Sequence, residues 1–205
     1  MRKGRRKGFR RQFGLDRSGP PPRQTRPGQP LRPWTIPNAV GYLRLAGLPV
    51  FLYLAFSSGD GRDPWAAAIF WLIAMGDYVD GFLARATGQY SRMGAILDPI
   101  VDRLTILSGV AVCWHFELLP RWALAVLVAR EAITALLAEF ALRRIGELQI
   151  NWLGRIAVAP VMASIFFAMV SDSWVWSAML IVGLALGILG TAAYVRDGMR
   201  RLATA

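Results

Sequence analysis

The chain has 205 residues, 55% of them hydrophobic and 18% charged, a formal net charge of +11 and a single cysteine, Cys113. The apolar content excludes disorder of the whole chain, and the lone cysteine excludes a disulfide scaffold. Charge is concentrated at one end: residues 1–33 hold eleven of the 24 basic residues and one acid, Asp16, a net of +10, whereas the remainder, with 13 basic and 12 acidic residues, is nearly neutral.

Residues 1–33 contain six of the twelve prolines and no apolar periodicity, which predicts a disordered basic cytoplasmic tail. Such a tail lies near anionic lipid, where each Lys or Arg contributes about 1 kcal/mol. A nucleic-acid partner is not expected, because the basic charge is not carried by the folded body. Arg10-Arg11-Gln12-Phe13 has the look of a twin-arginine export signal. Polar, proline-rich residues separate it from the first apolar run, and no small-residue cleavage site follows, so export is set aside. In a eukaryotic source the same composition would also suit an organellar transit peptide.

Residues 34–205 read as an all-α integral membrane domain. Six apolar segments follow one another at approximately 37–56, 65–86, 94–116, 120–141, 151–171 and 174–195, each near the ~20 residues that cross a bilayer. The connections at 57–64, 117–119 and 172–173 carry little positive charge, whereas the tail, Arg85, Arg92, Arg143, Arg144, Arg196, Arg200 and Arg201 lie on the opposite set. The positive-inside rule therefore puts both termini in the cytoplasm of a cell (inner) membrane protein. Trp65, Trp122, Trp174 and Trp176 fall at the outer ends, where aromatic belts form. No internal repeat supports an inverted-repeat transporter.

Charged groups within spans are costly and mark function by default. Here they include Arg44 in the first span, Asp77, Asp80 and Arg85 in the second, and Asp98, Asp102 and Arg103 in the third. Arg130, Glu131 and Glu139 follow in the fourth and Arg155 in the fifth. At about 1.5 Å per residue these lie from the cytoplasmic ends to near the midplane. The outer halves, such as Leu48–Phe56, Trp65–Ile73 and Val161–Val170, carry no charge. A transporter or ion-binding protein, the other class considered, needs polar access to both faces. The pattern instead predicts a polar cavity facing the cytoplasm.

Asp77 and Asp80 are spaced i, i+3 and Asp98 and Asp102 i, i+4, so each pair lies on one helix face. The short connection makes the second and third spans antiparallel neighbours, and the pairs can meet. Four carboxylates that close need compensation. Hard divalent ions suit oxygen ligands, and two such ions are the usual arrangement for phosphoryl transfer. A structural alternative is a salt-bridge network with Arg85, Arg103 and Arg130. Gly81 and Gly94 flank the pairs and allow close approach.

The run Asp77-Tyr-Val-Asp80-Gly81-Phe-Leu-Ala84-Arg85, then Gly94, Asp98 and Asp102, resembles the signature of the CDP-alcohol phosphatidyltransferases at every one of its eight positions across 26 residues. The Thr35-Ile36-Pro37-Asn38 entry and Arg44 are similar to that family as well. The resemblance implies that Asp77, Asp80, Asp98 and Asp102 hold two Mg²⁺ or Mn²⁺ ions. It implies that Gly81, Ala84, Arg85 and Gly94 bind the cytidine diphosphate of CDP-diacylglycerol, and that Asp102 is the general base toward the acceptor hydroxyl. The phosphatidyl group passes to an alcohol phosphate or a lipid acceptor, and CMP leaves.

For the acceptor, Ala129-Arg130-Glu131 and Arg155 resemble the branch that uses glycerol 3-phosphate, which ranks first; Arg130 and Arg155 would hold the phosphate, with Arg143 as an outer helper. Two features depart from that branch, Ala138 and Ala157 at positions that are basic in it, and Asp102-Arg103 resembles the branch that makes cardiolipin from phosphatidylglycerol. His115 is expected to be interfacial and Cys113 to pack. Gly183, Gly187 and Gly190 form a small-residue stripe for internal helix packing or for a homodimer.

Overall fold

The computed structural model describes residues 30–144 and 152–203. The basic tail up to residue 29 lies outside the described residues, as do the side chains of Arg143 and Arg155. Six helices are present among the described residues: α1 (Ile36–Ser57), α2 (Pro64–Thr87), α3 (Arg92–His115), α4 (Arg121–Arg144), α5 (Trp152–Ala168) and α6 (Trp174–Ala203). Each falls on one of the expected apolar segments.

Three stretches are long and apolar enough to cross a membrane: α1, α2 and Trp174–Ala193 of α6. This is a narrower result than six spans. Helices α3 and α4 have 24 residues each but carry Asp98, Asp102 and Arg103, or Arg130, Glu131 and Glu139, within their length. Their functional charge lowers the very hydropathy by which a span is recognised. The described part of α5 has 17 residues.

The described residues form two compact units, 30–51 with 68–105, and 52–67 with 106–144 and 152–203. In the first, α1 lies close to both of its neighbours because glycines face them. A Cβ at Gly41 would stand 2.8 Å from Leu97 Cδ2, and one at Gly47 3.1 Å from Ile73 Cδ1. Phe51 and Phe70, both fully buried, pack with ring centroids 5.3 Å apart.

Residues 31–33, expected as tail, belong to this unit. Leu31 O accepts from Met93 N at 3.0 Å. Asn38 Nδ2 donates to Arg32 O and Pro33 O at 3.1 and 3.0 Å. Ser91 Oγ donates to Asn38 Oδ1 at 3.0 Å and accepts from Gly94 N at 2.9 Å, capping α3. Backbone polar groups need partners wherever they are withdrawn from water, and Asn38 supplies them here.

In the second unit α6 packs on α5 and α4. A Cβ at Gly183 would lie 2.7 Å from Val161 Cγ2 and 3.1 Å from Val161 N, and one at Gly187 3.2 Å from Arg130 Nε. The glycine stripe is therefore used up inside the unit, where small residues let helices approach. The Gly61 turn has φ +75 and is closed over by Phe116, so no side chain fits there. Trp65, Trp122 and Trp174 are exposed, whereas Trp176 is half-buried and stacks on Phe167. His115 meets Phe56 and Phe116 edge-on, and Cys113 is buried.

Candidate active site

The first unit gathers the acids of α2 and α3 around one guanidinium from α1. Arg44 Nη1 donates to Asp80 Oδ2 at 2.9 Å, and Nη2 donates to Asp102 Oδ1 at 2.5 Å. Its Nε donates to the carbonyl of Ile73 at 2.9 Å. A charge withdrawn from water needs partners, and here all three nitrogens of the fork have them. Arg44 is buried, and its stem crosses α2 at Gly76, where a Cβ would stand 2.5 Å from Arg44 Cδ.

The two bridged acids differ in access. Asp80 has 5% of its side chain exposed and Asp102 42%. Asp77 and Asp98 are half-buried. Asp80 of α2 and Asp102 of α3 meet at the same guanidinium, so an acid from each pair converges there. The charge pattern offers Arg85, Arg103 and Arg130 for a compensating network; Arg44, which that expectation did not include, bridges Asp80 and Asp102.

Among the described residues, no three His, Cys, Asp or Glu side chains are gathered as the ligands of one ion. Two of the four carboxylates each give an oxygen to Arg44 instead. The donor set still suits hard cations in its chemistry, because carboxylate oxygens are the ligands such ions take.

Gly81 and Arg85 sit one turn apart, and the Arg85 guanidinium lies over Gly81, with Nη1 3.3 Å from where a Cβ would be. Glycine thus gives this guanidinium room beside the acids. Ala84 is half-buried on the same helix. Gly94 has a packing reason of its own, because a Cβ would come 2.8 Å from Asn38 Oδ1.

Arg130 belongs to the second unit. It forms an ion pair with its neighbour Glu131, both side chains being largely buried. Its Nε is buried and without a hydrogen-bond partner. The pair lines a small recess whose other walls include Ile106, Leu127, Val158, Val161 and Leu184. The recess is apolar apart from this one ion pair. Arg155 lies on α5 and Arg143 at the end of α4.

Sequence reasoning missed Gly76 and the Asn38–Ser91–Gly94 node. The available signals were the glycine immediately before Asp77 and the asparagine of the Thr-Ile-Pro-Asn entry. Both were legible as residues, but neither could be assigned a partner.

Comparison with known proteins gives one family profile, CDP-alcohol phosphatidyltransferase, which matches residues 34–189. A cardiolipin synthase (CMP-forming) of Streptomyces coelicolor is 40% identical over 168 residues, 78% of this chain and 77% of that protein. A putative cardiolipin synthase of Mycobacterium tuberculosis is 32% identical, covering 78% of each chain. The CDP-diacylglycerol–glycerol-3-phosphate 3-phosphatidyltransferase of Escherichia coli is 32% identical over 140 residues, 64% of this chain and 75% of that protein.

Proposed function

The chain belongs to the CDP-alcohol phosphatidyltransferase family, and from that premise we propose that it moves a phosphatidyl group from CDP-diacylglycerol to phosphatidylglycerol, forming cardiolipin and releasing CMP. The reading of the acceptor rests on the Arg130–Glu131 ion pair. A phosphomonoester carries nearly two negative charges and needs fixed, uncommitted cations, best supplied by arginine. Arg130 is already paired, its recess is apolar, and positions 138 and 157 are alanine. A phosphodiester lipid brings one charge and acyl chains that partition by themselves, and the relatives named for cardiolipin synthesis cover more of this chain. Glycerol 3-phosphate, ranked first from the sequence, becomes the second reading, supported by the relatives named for it and by Ala129-Arg130-Glu131.

In this reading Asp102, the more accessible of the two bridged acids, takes the proton of the acceptor hydroxyl. The oxygen so freed attacks the phosphorus bearing diacylglycerol, the bond to the CMP phosphate breaks, and CMP departs. Arg85, which lies over Gly81, would take the donor's phosphate oxygens. Two Mg²⁺ or Mn²⁺ ions held by Asp77, Asp80, Asp98 and Asp102 would supply positive charge to the pyrophosphate as it breaks. The wider topology belongs to the same proposal: six spans, both termini cytoplasmic, and a polar cavity open to that side, because the donor head group is water-soluble and the positive-inside pattern of the sequence puts the charged ends of the spans on the cytoplasmic side. The homodimer expected on the glycine stripe is not proposed, since Gly183 and Gly187 are packed within the second unit.

The test is direct. Purified protein in detergent receives CDP-diacylglycerol with phosphatidylglycerol, glycerol 3-phosphate or inositol 1-phosphate, and products are identified by mass. Cardiolipin and CMP are expected, both abolished by EDTA and restored by Mg²⁺ or Mn²⁺. Phosphatidylglycerophosphate as the main product would establish the second reading. Flux across reconstituted vesicles with no CMP from any acceptor would return the protein to the transporter class.

A further inference from the structure

Arg44 lies outside the signature at 77–102, yet it touches two of its acids. We propose that Arg44 is a positioning residue for the carboxylate site, holding Asp102 of α3 and Asp80 of α2 in one arrangement, and that Gly76 is the position that admits it. The proposal rests on the phosphatidyl-transfer reading above, in which Asp102 is the base.

The geometry is specific to a guanidinium. Nε is anchored on the Ile73 carbonyl, Nη1 on Asp80 and Nη2 on Asp102, at 2.9, 2.9 and 2.5 Å. The backbone anchor fixes the plane of the fork, and the fork then fixes the separation of the two carboxylates. Asp80 is the buried end of this bridge and Asp102 the accessible one. Arg44 holds Oδ1 of Asp102 and leaves Oδ2 for the acceptor proton. An ammonium is a point charge without the rigid fork and does not span two carboxylates and a carbonyl in this way.

Gly76 is the second half of the arrangement. It precedes Asp80 by one helical turn, and a Cβ there would stand 2.5 Å from Cδ, 2.7 Å from Cγ and 3.1 Å from Nε of Arg44. The stem cannot swing aside without breaking the three bonds at its end, so a methyl group at 76 displaces the guanidinium although no charge changes. Two chemically unrelated substitutions, at positions 44 and 76, should therefore produce one phenotype.

Wild type, Arg44→Lys, Gly76→Ala and the double variant are compared in CMP release and in thermal unfolding. Displacing a base by about 1 Å costs on the order of 10²-fold. Arg44→Lys is thus expected to lower kcat per folded enzyme about 10²-fold while KM for donor and acceptor stays within about threefold. Gly76→Ala should show the same split, and the double variant should be little worse than either single change, since both break one unit. Independently of activity, Mg²⁺ should raise the melting temperature of the wild type by preferential binding to the folded state. In Arg44→Lys the half-maximal Mg²⁺ concentration for that rise should move upward, because the acids are no longer held together.

Unchanged kcat per folded enzyme in Arg44→Lys, with only the melting temperature reduced, would make Arg44 a structural brace and overturn the proposal. So would a half-maximal Mg²⁺ concentration that stays put or falls. If Arg44→Lys does not fold, Gly76→Ala carries the same test. A wild type that releases no CMP with any acceptor would refute the phosphatidyl-transfer reading, while the Mg²⁺ melting comparison would still decide whether Arg44 organises the acids.

Discussion

Replacing Asp102 by asparagine separates the role of its charge from its place in the structure. The amide introduced by Asp102→Asn keeps an oxygen that can accept from Arg44 Nη2, so the bridge to Asp80 survives with one ion pair reduced to a hydrogen bond from the guanidinium to a neutral oxygen. That exchange costs about 1 kcal/mol of stability. At 42% exposure, Asp102 also has water available to soften the loss. The chemical cost is much larger. Loss of a positioned general base lowers turnover by about 10² to 10⁴, equivalent to about 3–5 kcal/mol of barrier. The assay is CMP release from CDP-diacylglycerol at saturating acceptor, normalised to the fraction that elutes as folded protein. Donor binding should persist, because Asp77, Asp80 and Asp98 are untouched. Asp77→Asn, by contrast, should weaken donor and Mg²⁺ binding as well as turnover. Turnover of Asp102→Asn within about threefold of wild type, far short of the loss expected for a base, would refute the assignment and favour a purely structural role for the Arg44-bridged acids.

Three other outcomes are expected. Asn38→Ala removes side-chain bonds to Arg32 O, Pro33 O and Ser91 Oγ, at about 1 kcal/mol each, so thermal unfolding should begin roughly 6–12 °C lower; a shift under about 2 °C, less than one such bond is worth, would refute the account of the node. Glu131→Gln releases Arg130 from its ion pair and should raise the preference for glycerol 3-phosphate over phosphatidylglycerol about tenfold, the value of one charge-assisted bond, read as a ratio of kcat/KM values; an unchanged ratio would show that Arg130 does not meet the acceptor. Gly183→Ala places a methyl group 2.7 Å from Val161 Cγ2 and 3.1 Å from its backbone nitrogen. The resulting overpacking, about 1–3 kcal/mol, should outweigh the gain in helix propensity and lower the melting temperature, whereas a rise would mean that α5 and α6 yield at this contact.

The order of six helices and the identity of the acids follow from local rules that a sequence obeys by itself. Apolar runs of bilayer length are bounded by Pro64, Ser91 or the Gly59–Gly61 turn, and side chains three or four residues apart must share a helix face whatever packs against it. That is why the eight signature positions could be read without a structure. Partner choice is different, because it depends on how close two helices come, and that is set by residues with no chemistry of their own. Gly41, Gly47 and Gly76 bring α1 near enough for Arg44 to reach Asp80 and Asp102, a pairing invisible in the charge pattern, which offered Arg85, Arg103 and Arg130 equally well. Likewise the glycine stripe of α6 suited a dimer or an internal contact until Val161 and Arg130 were found against it. Arg130, an acceptor cation by sequence, turned out to be committed to the adjacent Glu131. Period and length determine which face a residue occupies; only tertiary packing decides which opposite charge lies within hydrogen-bond reach, since a hydrogen bond needs donor and acceptor about 3 Å apart.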